Sequence, residues 1–417
     1  MKRNYLIVVF IFLIFYVISF LTNILGPLIP DIIDGFHLSH LALAAFLPFA
    51  FFAAYGVMSI PAGFLVDKYS AKTIMIAAFI LALIGSFLFA AFPAFWVAMI
   101  SLFLIGVGMA MLQVAINPLL RAAGGEEHFA FNSVAAQLVF GLASFISPQV
   151  YSYLVQHLRN YDGDGNILIR ILVRIVPQDL PWISLYWVFV AVTLIMVIVL
   201  IVIRLPKIEL KVDERVESLR TTANLFGQKV VILYFFGIFA YVGTEQGLAN
   251  WMSKYLAIYH GFDPLLLGAD AVSSFWGLLT AGCLLGLILL KFFDSRKVLI
   301  WFSSAAIISL TVSLFGTAKM ASIGLPATGF FLSVMWSIIF SLALNSIDKY
   351  HGSFSGILCT GIVGGAFVPL IVGGLGDLFG LKAGMMFLYV TLGYILSIGF
   401  WAKPLITNKT VSLRKEN

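Results

Sequence analysis

Tyr241-Val-Gly-Thr-Glu-Gln-Gly-Leu-Ala-Asn-Trp-Met-Ser-Lys254 lies inside a long apolar run that begins near Val230. Glu245 is therefore a carboxylate at a depth where water is scarce. An ionisable side chain inside a bilayer costs roughly 2.5–3.5 kcal/mol on insertion scales, so by default it faces a cavity and has a function. On a helix, Tyr241 sits one turn before Glu245, and Gln246 one turn before Asn250. Gly243 and Gly247 leave room for something to approach the backbone closely. Two readings follow. The stripe is a substrate or proton site, or it is polar glue between helices with the glycines serving their packing.

The composition around this stretch sets the class. Of 417 residues, 61% are hydrophobic and 11% charged, and the mean hydropathy is +1.05. No soluble domain needs that much apolar surface, and runs of about 20 apolar residues predict membrane helices. The runs are continuous rather than alternating. Helices, which satisfy their own backbone, therefore win over a barrel. The net charge of +6 does not indicate nucleic acid, because the basic residues fall between the apolar runs. Cys283 and Cys359 both lie within such runs and read as small packing residues, not a disulfide or a metal site.

Met1-Lys-Arg precedes a run too long for a cleaved leader, so the run reads as an uncleaved first span. Spans are expected at 5–33, 41–67, 73–91, 95–121, 131–157 and 183–204. A second set is expected at 229–259, 267–291, 297–317, 321–347, 353–376 and 383–403. The architecture predicted is all-α and integral to the membrane, with twelve helices in two halves. Residues 1–204 form the first six-helix bundle and 229–417 the second, which ends in a short tail. Residues 205–228 are a hydrophilic linker lying at the membrane surface and partly helical. With the N-terminus inside, 19 of the 25 lysines and arginines fall in inside segments. This bias places both termini and the linker in the cytoplasm, in a bacterial inner membrane.

Other polar residues inside spans extend the candidate site. Asn23 shares its span with Gly26, Pro27 and Pro30, a combination that kinks or unwinds a membrane helix. Gln113 and Asn117 lie one turn apart, as do Gln246 and Asn250. Such amides suit a hydroxylated ligand, and mutual hydrogen bonding is the alternative. Gln137 and Asn345 are further amides within spans. Tyr241, Trp251, Trp276 and Trp336 offer flat faces to a ring; packing or an interfacial belt is the alternative for each. Asp67 with Lys68 and Lys72, and Asp294 with Arg296, stand at span ends suited to a cytoplasmic gate. Asp162-Gly-Asp-Gly-Asn166 lacks the length and closing glutamate of a calcium loop and reads as a turn. His128, His157, His260 and His351 show no ligand spacing, and no nucleophile–base pair argues for a membrane-embedded enzyme. The end of span eight, Gly282 to Lys297, matches the end of span two in character. Ser144-Phe-Ile-Ser-Pro148 likewise echoes Gly364-Gly-Ala-Phe-Val-Pro369. Halves that look like distant copies point to alternating access around a mid-membrane site.

These pieces together resemble the major facilitator superfamily, and within it the fucose–galactose–glucose:proton symporter family, over residues 5–403. Pro61-Ala-Gly with Lys68 and Lys72 is similar to that family's loop after span two. Gln113-Val-Ala-Ile-Asn-Pro118 with Gly124-Gly-Glu-Glu-His128 resembles its span-four signature. Tyr241-Val-Gly-Thr-Glu245 resembles its span-seven signature. Gly352-Ser-Phe, Ile362 through Pro369, and Asp377 resemble span eleven. The resemblance implies a secondary carrier of a small hydroxylated solute, a hexose above all, working as a monomer without cofactor or metal. The chain departs from the fucose permease pattern in spans one, four, five and eight; in span five, anchoring on Asn132 and Gly141 puts Ala135 and Leu138 where that type has a glutamine and an asparagine. Gly26 and Gln113 stand where that type has acids of spans one and four, and Cys283 where an arginine often follows the span-eight glycine. Desolvation disfavours the charged form of a carboxylate, so Glu245 is left as the proton-coupling candidate. An uncoupled or sodium-coupled sugar carrier, and an exporter on the same fold, are the alternatives.

Overall fold

In hydrocarbon every backbone N–H and C=O must find a partner within the chain, so each apolar run closes its hydrogen bonds as a helix. The computed structural model describes residues 5–38, 41–124, 129–161, 166–203, 219–348 and 350–405. The first half contains α1 (Tyr5–Thr22), α2 (Leu25–Gly35), α3 (Leu41–Tyr69), α4 (Ala71–Ala91), α5 (Phe95–Gly124), α6 (Phe129–Arg159), the short α7 (Ile167–Ile175) and α8 (Ser184–Val202). Then come α9 (Leu219–Phe226), α10 (Lys229–His260), α11 (Ala269–Phe292) and α12 (Ser295–Phe315). The rest is α13 (Ala318–Leu332), α14 (Met335–Leu344), α15 (His351–Thr360), α16 (Gly364–Phe379), α17 (Leu381–Met386) and α18 (Leu388–Trp401). Among the described residues, 11 helices are long and apolar enough to cross a bilayer, and the bent pair Ile7–Thr22 with Pro27–Gly35 makes up to 12. The chain is an integral membrane protein with the six-plus-six helices the sequence predicts.

Of the expected linker, α9 is described, and residues 204–218 lie outside the described part, as do 125–128 and the Asp162–Gly165 turn. Asn166, at the end of that turn, caps α7 by accepting from the Ile169 N–H at 2.9 Å. The face carrying α9 is called the linker side below, and the opposite face the far side.

The predicted kink in span one is present, at 41° between its two helices. Pro27 has no N–H to give the carbonyl of Asn23 four residues earlier, so the ladder breaks there. The outer piece, α2, is tied down at its far end. Tyr151 of α6 donates to Asp31, and Arg159 reaches the same carboxylate at 2.8 Å. The Tyr151 ring is fully buried. Asp31→Ala therefore leaves a buried hydroxyl without its acceptor, a loss of about 1–3 kcal/mol. Purified protein is expected to melt several degrees lower, and an unchanged melting temperature would show that α2 needs no such tie.

At the end of α10, Gly261 takes a left-handed φ of 68°. Its N–H bonds Ala257 O at 3.1 Å and the next N–H bonds Leu256 O at 3.3 Å. This closes the helix as glycine-ended helices do.

The two halves meet along two seams. In one, α3 lies against α15 and α16: Phe49 meets Phe367 edge-on at 5.2 Å, and a Cβ on Gly56 would sit 2.9 Å from Val363. In the other, α6 lies against α11 from Gly141 and Thr280 outward to the far side. There Gln149 donates to Ser273 at 3.3 Å and Ser152 to the Leu265 carbonyl at 2.7 Å. One turn toward the linker side from this contact, Gln137 and Leu284 are both exposed, so the seam parts at that end. The outer piece of span one also packs against α10. The molecule is thus closed on the far side around α2, α6, α10 and α11.

Candidate functional site

The quoted stretch lies at the middle of α10, and its side chains divide between two environments. Tyr241 donates to Glu245 at 2.9 Å, one helical turn apart. The Tyr241 ring meets Trp336 of α14 with centroids 5.9 Å apart, and Trp336 stacks on Phe340 at 5.8 Å. Cys283 of α11 lies within electrostatic reach of the carboxylate, and its thiol donates to the Ser333 carbonyl at 3.4 Å. Glu245, Trp336, Phe340 and Cys283 are each partly exposed. A carboxylate, a phenol and an aromatic stack therefore share one wall of the second half.

The neighbouring side chain, Gln246, turns toward the other half. It donates to the Asn23 carbonyl oxygen at 3.4 Å. Asn23 in turn donates to Ser144 at 2.8 Å, and Ser144 shares a hydrogen bond of 2.6 Å with Ser19. Helices α1, α6 and α10 are thus joined by a buried polar chain that crosses between the halves. Asn23 occupies the break in span one because Pro27 releases its turn. One turn beyond Gln246, the buried Asn250 keeps its amide N–H groups without a partner among the described residues, and so does the indole N–H of Trp276. Such donors are expensive to leave unmade.

Not every residue singled out in the sequence belongs to this group. Trp251 is fully buried, and its indole donates to the Pro369 carbonyl at 2.9 Å. It holds α10 to α16, and its indole N–H is taken up by that contact. Asn345 ends α14 on the linker side, beside Ser346, which Tyr234 bonds at 3.1 Å. Tyr234 precedes Glu245 by 11 residues, about 16 Å along a helix, so Asn345 lies toward the linker side rather than at the level of Glu245. Gln137 is exposed on α6, one turn from Gly141 at the open end of the seam. Gln113 is partly buried on α5, and the side chain of Asn117 lies outside the described residues. For Gly243 and Gly247 the packing reading holds. A Cβ on Gly243 would run into Val368 of α16, and one on Gly247 would come within 2.8 Å of Leu388.

The linker-side charges bind within their own halves. Lys72 donates to the Ile203 carbonyl at 2.6 Å and to that of Ile201 at 3.2 Å, which caps the end of α8. Lys68 is exposed and lies over the Tyr69 ring, and the Asp67 side chain lies outside the described residues. Asp294 caps α12 by accepting from the Arg296 N–H at 2.8 Å and pairs with its guanidinium at 3.1 Å. In this conformation neither of these contacts crosses a seam. Burial pushes the Asp294 carboxyl up, but the Arg296 hydrogen bonds and charge outweigh it and hold it below the usual carboxylate range. A depressed value stabilises the fold above the unfolded carboxylate's pKa, and this is lost as pH falls through the folded one. Asp294→Ala is expected to cost about 1 kcal/mol through the lost cap. Asp294→Asn keeps an oxygen for the cap and should cost less. Acid melting curves check the charge: the Asn variant should lose less stability than the parent between neutral and acid pH.

Serines 19 and 144 and Cys283 were not singled out as site residues. Ser144 and Cys283 stood out in the sequence only as parts of a motif, and the packing of α1, α6 and α11 is what brings them to this group. Asp31 did have a signal, an acid directly after the proline of a broken span.

Two six-helix halves that meet around a polar chain at mid-membrane, with a partly exposed carboxylate beside it, define a secondary transporter. The comparisons agree. The chain belongs to the Major Facilitator Superfamily, whose profile matches residues 11–368. It is 29% identical over 401 residues to the glucose/galactose transporter of Brucella abortus (strain 2308), covering 93% of this chain and 92% of that one. It is 25% identical to the L-fucose-proton symporter of Escherichia coli (strain K12), covering 88% and 86%. Among solved structures, the fucose symporter FucP in the outward conformation matches with a TM-score of 0.67 at 20% identity, covering 94% of this chain and 98% of that one. A bacterial homolog of the human lysosomal transporter Spinster, inward-facing and occupied, matches at 0.74 and 14% identity, covering 95% and 96%. The relatives in this family are transporters, not enzymes.

Proposed function

We propose that this protein carries a hexose across the bacterial inner membrane by alternating access and couples the movement to a proton at Glu245. The observation that supports it most is the mid-membrane group of the buried Tyr241 with the partly exposed Glu245 and Trp336, beside the amide chain of Gln246 and Asn23. The names of the glucose/galactose and fucose-proton relatives point the same way. Asn23, Gln113, Asn117, Gln246 and Asn250 would bind sugar hydroxyls, with Trp336 or Trp276 against the ring. The divide between halves falls within 205–228. Asp67, Lys68, Lys72, Asp294 and Arg296 serve the linker-side gate, and their contacts within each half belong to the state in which that side opens. The lysine and arginine bias supports cytoplasmic termini, so the closed far side faces outward. The chain acts as a monomer.

Counterflow of labelled hexoses into proteoliposomes without an ion gradient tests the substrate. It requires only binding and alternating access. Glucose, galactose, fucose and mannose are compared, and exchange of at least one is expected. Folded protein that exchanges none of them would sink the sugar reading. An uncoupled or sodium-coupled carrier is the second reading, favoured by Gly26 and Gln113 standing where the fucose permease type has acids. Uptake that ignores a proton gradient would establish it.

A further inference from the structure

Helix α7 is too short to cross a bilayer. Its nine residues span about 14 Å, against a hydrocarbon core of roughly 30 Å. It joins α6 to α8 on the far side, where both helices reach the membrane surface. Its sequence, Ile167-Leu-Ile-Arg-Ile-Leu-Val-Arg-Ile175, divides into three faces at 100° per residue. Ile169 and Leu172 are buried against the protein. Arg170 and Arg174, one turn apart, form an exposed charged strip on a second face. Between the two, Ile167, Leu168, Ile171 and Ile175 form a third face that is apolar and exposed, Ile167 by 78% and Ile171 by 53%. Water on one side of a helix does not call for four large aliphatic residues there, and the protein core is on another side.

We propose that α7 lies in the membrane interface, with these four residues among the acyl chains and Arg170 and Arg174 on the phosphates of anionic phospholipids. Three observations identify the bilayer as the occupant. The helix is held at the level where two spans end, joined to α6 at its start and followed by α8. Its N-terminus is fixed by Asn166, which donates to the Tyr153 hydroxyl at 3.1 Å. Tyr153 is itself an exposed aromatic near the far-side end of α6, where membrane proteins carry aromatic belts. The charge complements an anionic headgroup, and long arginine side chains reach it from a helix whose neighbouring face is apolar. The arginines stand on the side where the charge bias of the whole chain is weakest, so orientation gives them no reason to be there. The mobile solute carrier thereby gains a fixed edge. One end of α6, whose other face forms the far-side seam, is held to the lipid surface.

Two measurements test this on the full chain. First, a photo-reactive benzophenone side chain is placed at Ile171 or Ile175 in vesicles containing phosphatidylglycerol, and the illuminated protein is weighed intact. Adducts with the mass of a phospholipid are expected. Adducts of protein mass, or none, would overturn the proposal in favour of a docked protein or an aqueous face. Second, the parent and the Arg170→Gln, Arg174→Gln double variant are melted in phosphatidylglycerol and in phosphatidylcholine. The double variant should lose a measurable part of the extra stability that the anionic lipid gives the parent, since each basic residue near such a surface contributes. An undiminished shift would overturn the headgroup contact. Both substitutions replace exposed side chains, so the variant folds and the comparison is between lipids, not between proteins.

Discussion

Glu245→Gln is expected to abolish accumulation of sugar against its gradient while leaving counterflow intact. A proton that crosses 100 mV with its sugar brings about 2.3 kcal/mol, which supports roughly 50-fold accumulation at 1.4 kcal/mol per tenfold. Without a proton site the same carrier only equilibrates its substrate, so the ratio falls to about one. Glutamine keeps the shape of the side chain and still accepts from the Tyr241 hydroxyl, now 2.9 Å from one carboxylate oxygen. Binding and the rocking of the halves should therefore survive, which separates coupling from folding. The measurement pairs two assays on one preparation: uptake driven by an imposed proton gradient, and exchange with none. Accumulation that persists in the variant would move the coupling elsewhere or remove it. Loss of both activities would make Glu245 a binding residue first. Tyr241→Phe is a useful companion, because it removes only the hydrogen bond to the carboxylate and leaves the ring against Trp336.

The fold was legible because hydrocarbon leaves the chain few options. Apolar runs of the right length, a hydrophilic segment in the middle and a break at Pro27 all follow from backbone satisfaction and the missing proline N–H. The polar stripe of α10 was legible for a related reason. A charge is so costly at that depth that Glu245 stands out from any position in the sequence. What could not be read is which way each helix turns. Gln246 and Glu245 are adjacent, yet one meets Asn23 of the other half and the other meets Tyr241 on its own helix. Trp251 and Trp336 look alike in sequence. The first is locked by the Pro369 carbonyl, whereas the second is partly open beside the carboxylate. Gly243 allowed either a ligand or a helix to approach, and only the position of Val368 on α16 decides between them. Polar residues can be found by their cost, but their partners depend on helix rotation and on long-range packing that periodicity does not encode.

Gly141→Val is expected to shift the protein away from the conformation described here. Helices α6 and α11 touch at Gly141 and Thr280, where a Cβ on the glycine would overlap the threonine hydroxyl. The threonine cannot simply turn aside. Its Cβ and Cγ2 would lie 3.0 and 3.1 Å from the added atom, and its hydroxyl is held by the Trp276 carbonyl at 2.9 Å. Overpacking of this kind costs about 1–3 kcal/mol. The clash exists only while the far-side seam is closed, so that cost becomes a change of about fivefold to somewhat over a hundredfold in the balance between states. A cysteine at Ser152, on the closed stretch of the seam, should then react faster with a water-soluble maleimide. A cysteine at Gln137, at the open end, should react more slowly as the linker side closes. Adding Thr280→Ala removes the atoms that clash and should restore the parent pattern. The opposite movement of the two labels is the decisive part. A variant that was merely destabilised would expose both positions together, and a seam that never parts would leave both unchanged. Transport should fall with the shift, because a carrier held in one state completes no cycle, and it should recover in the double variant.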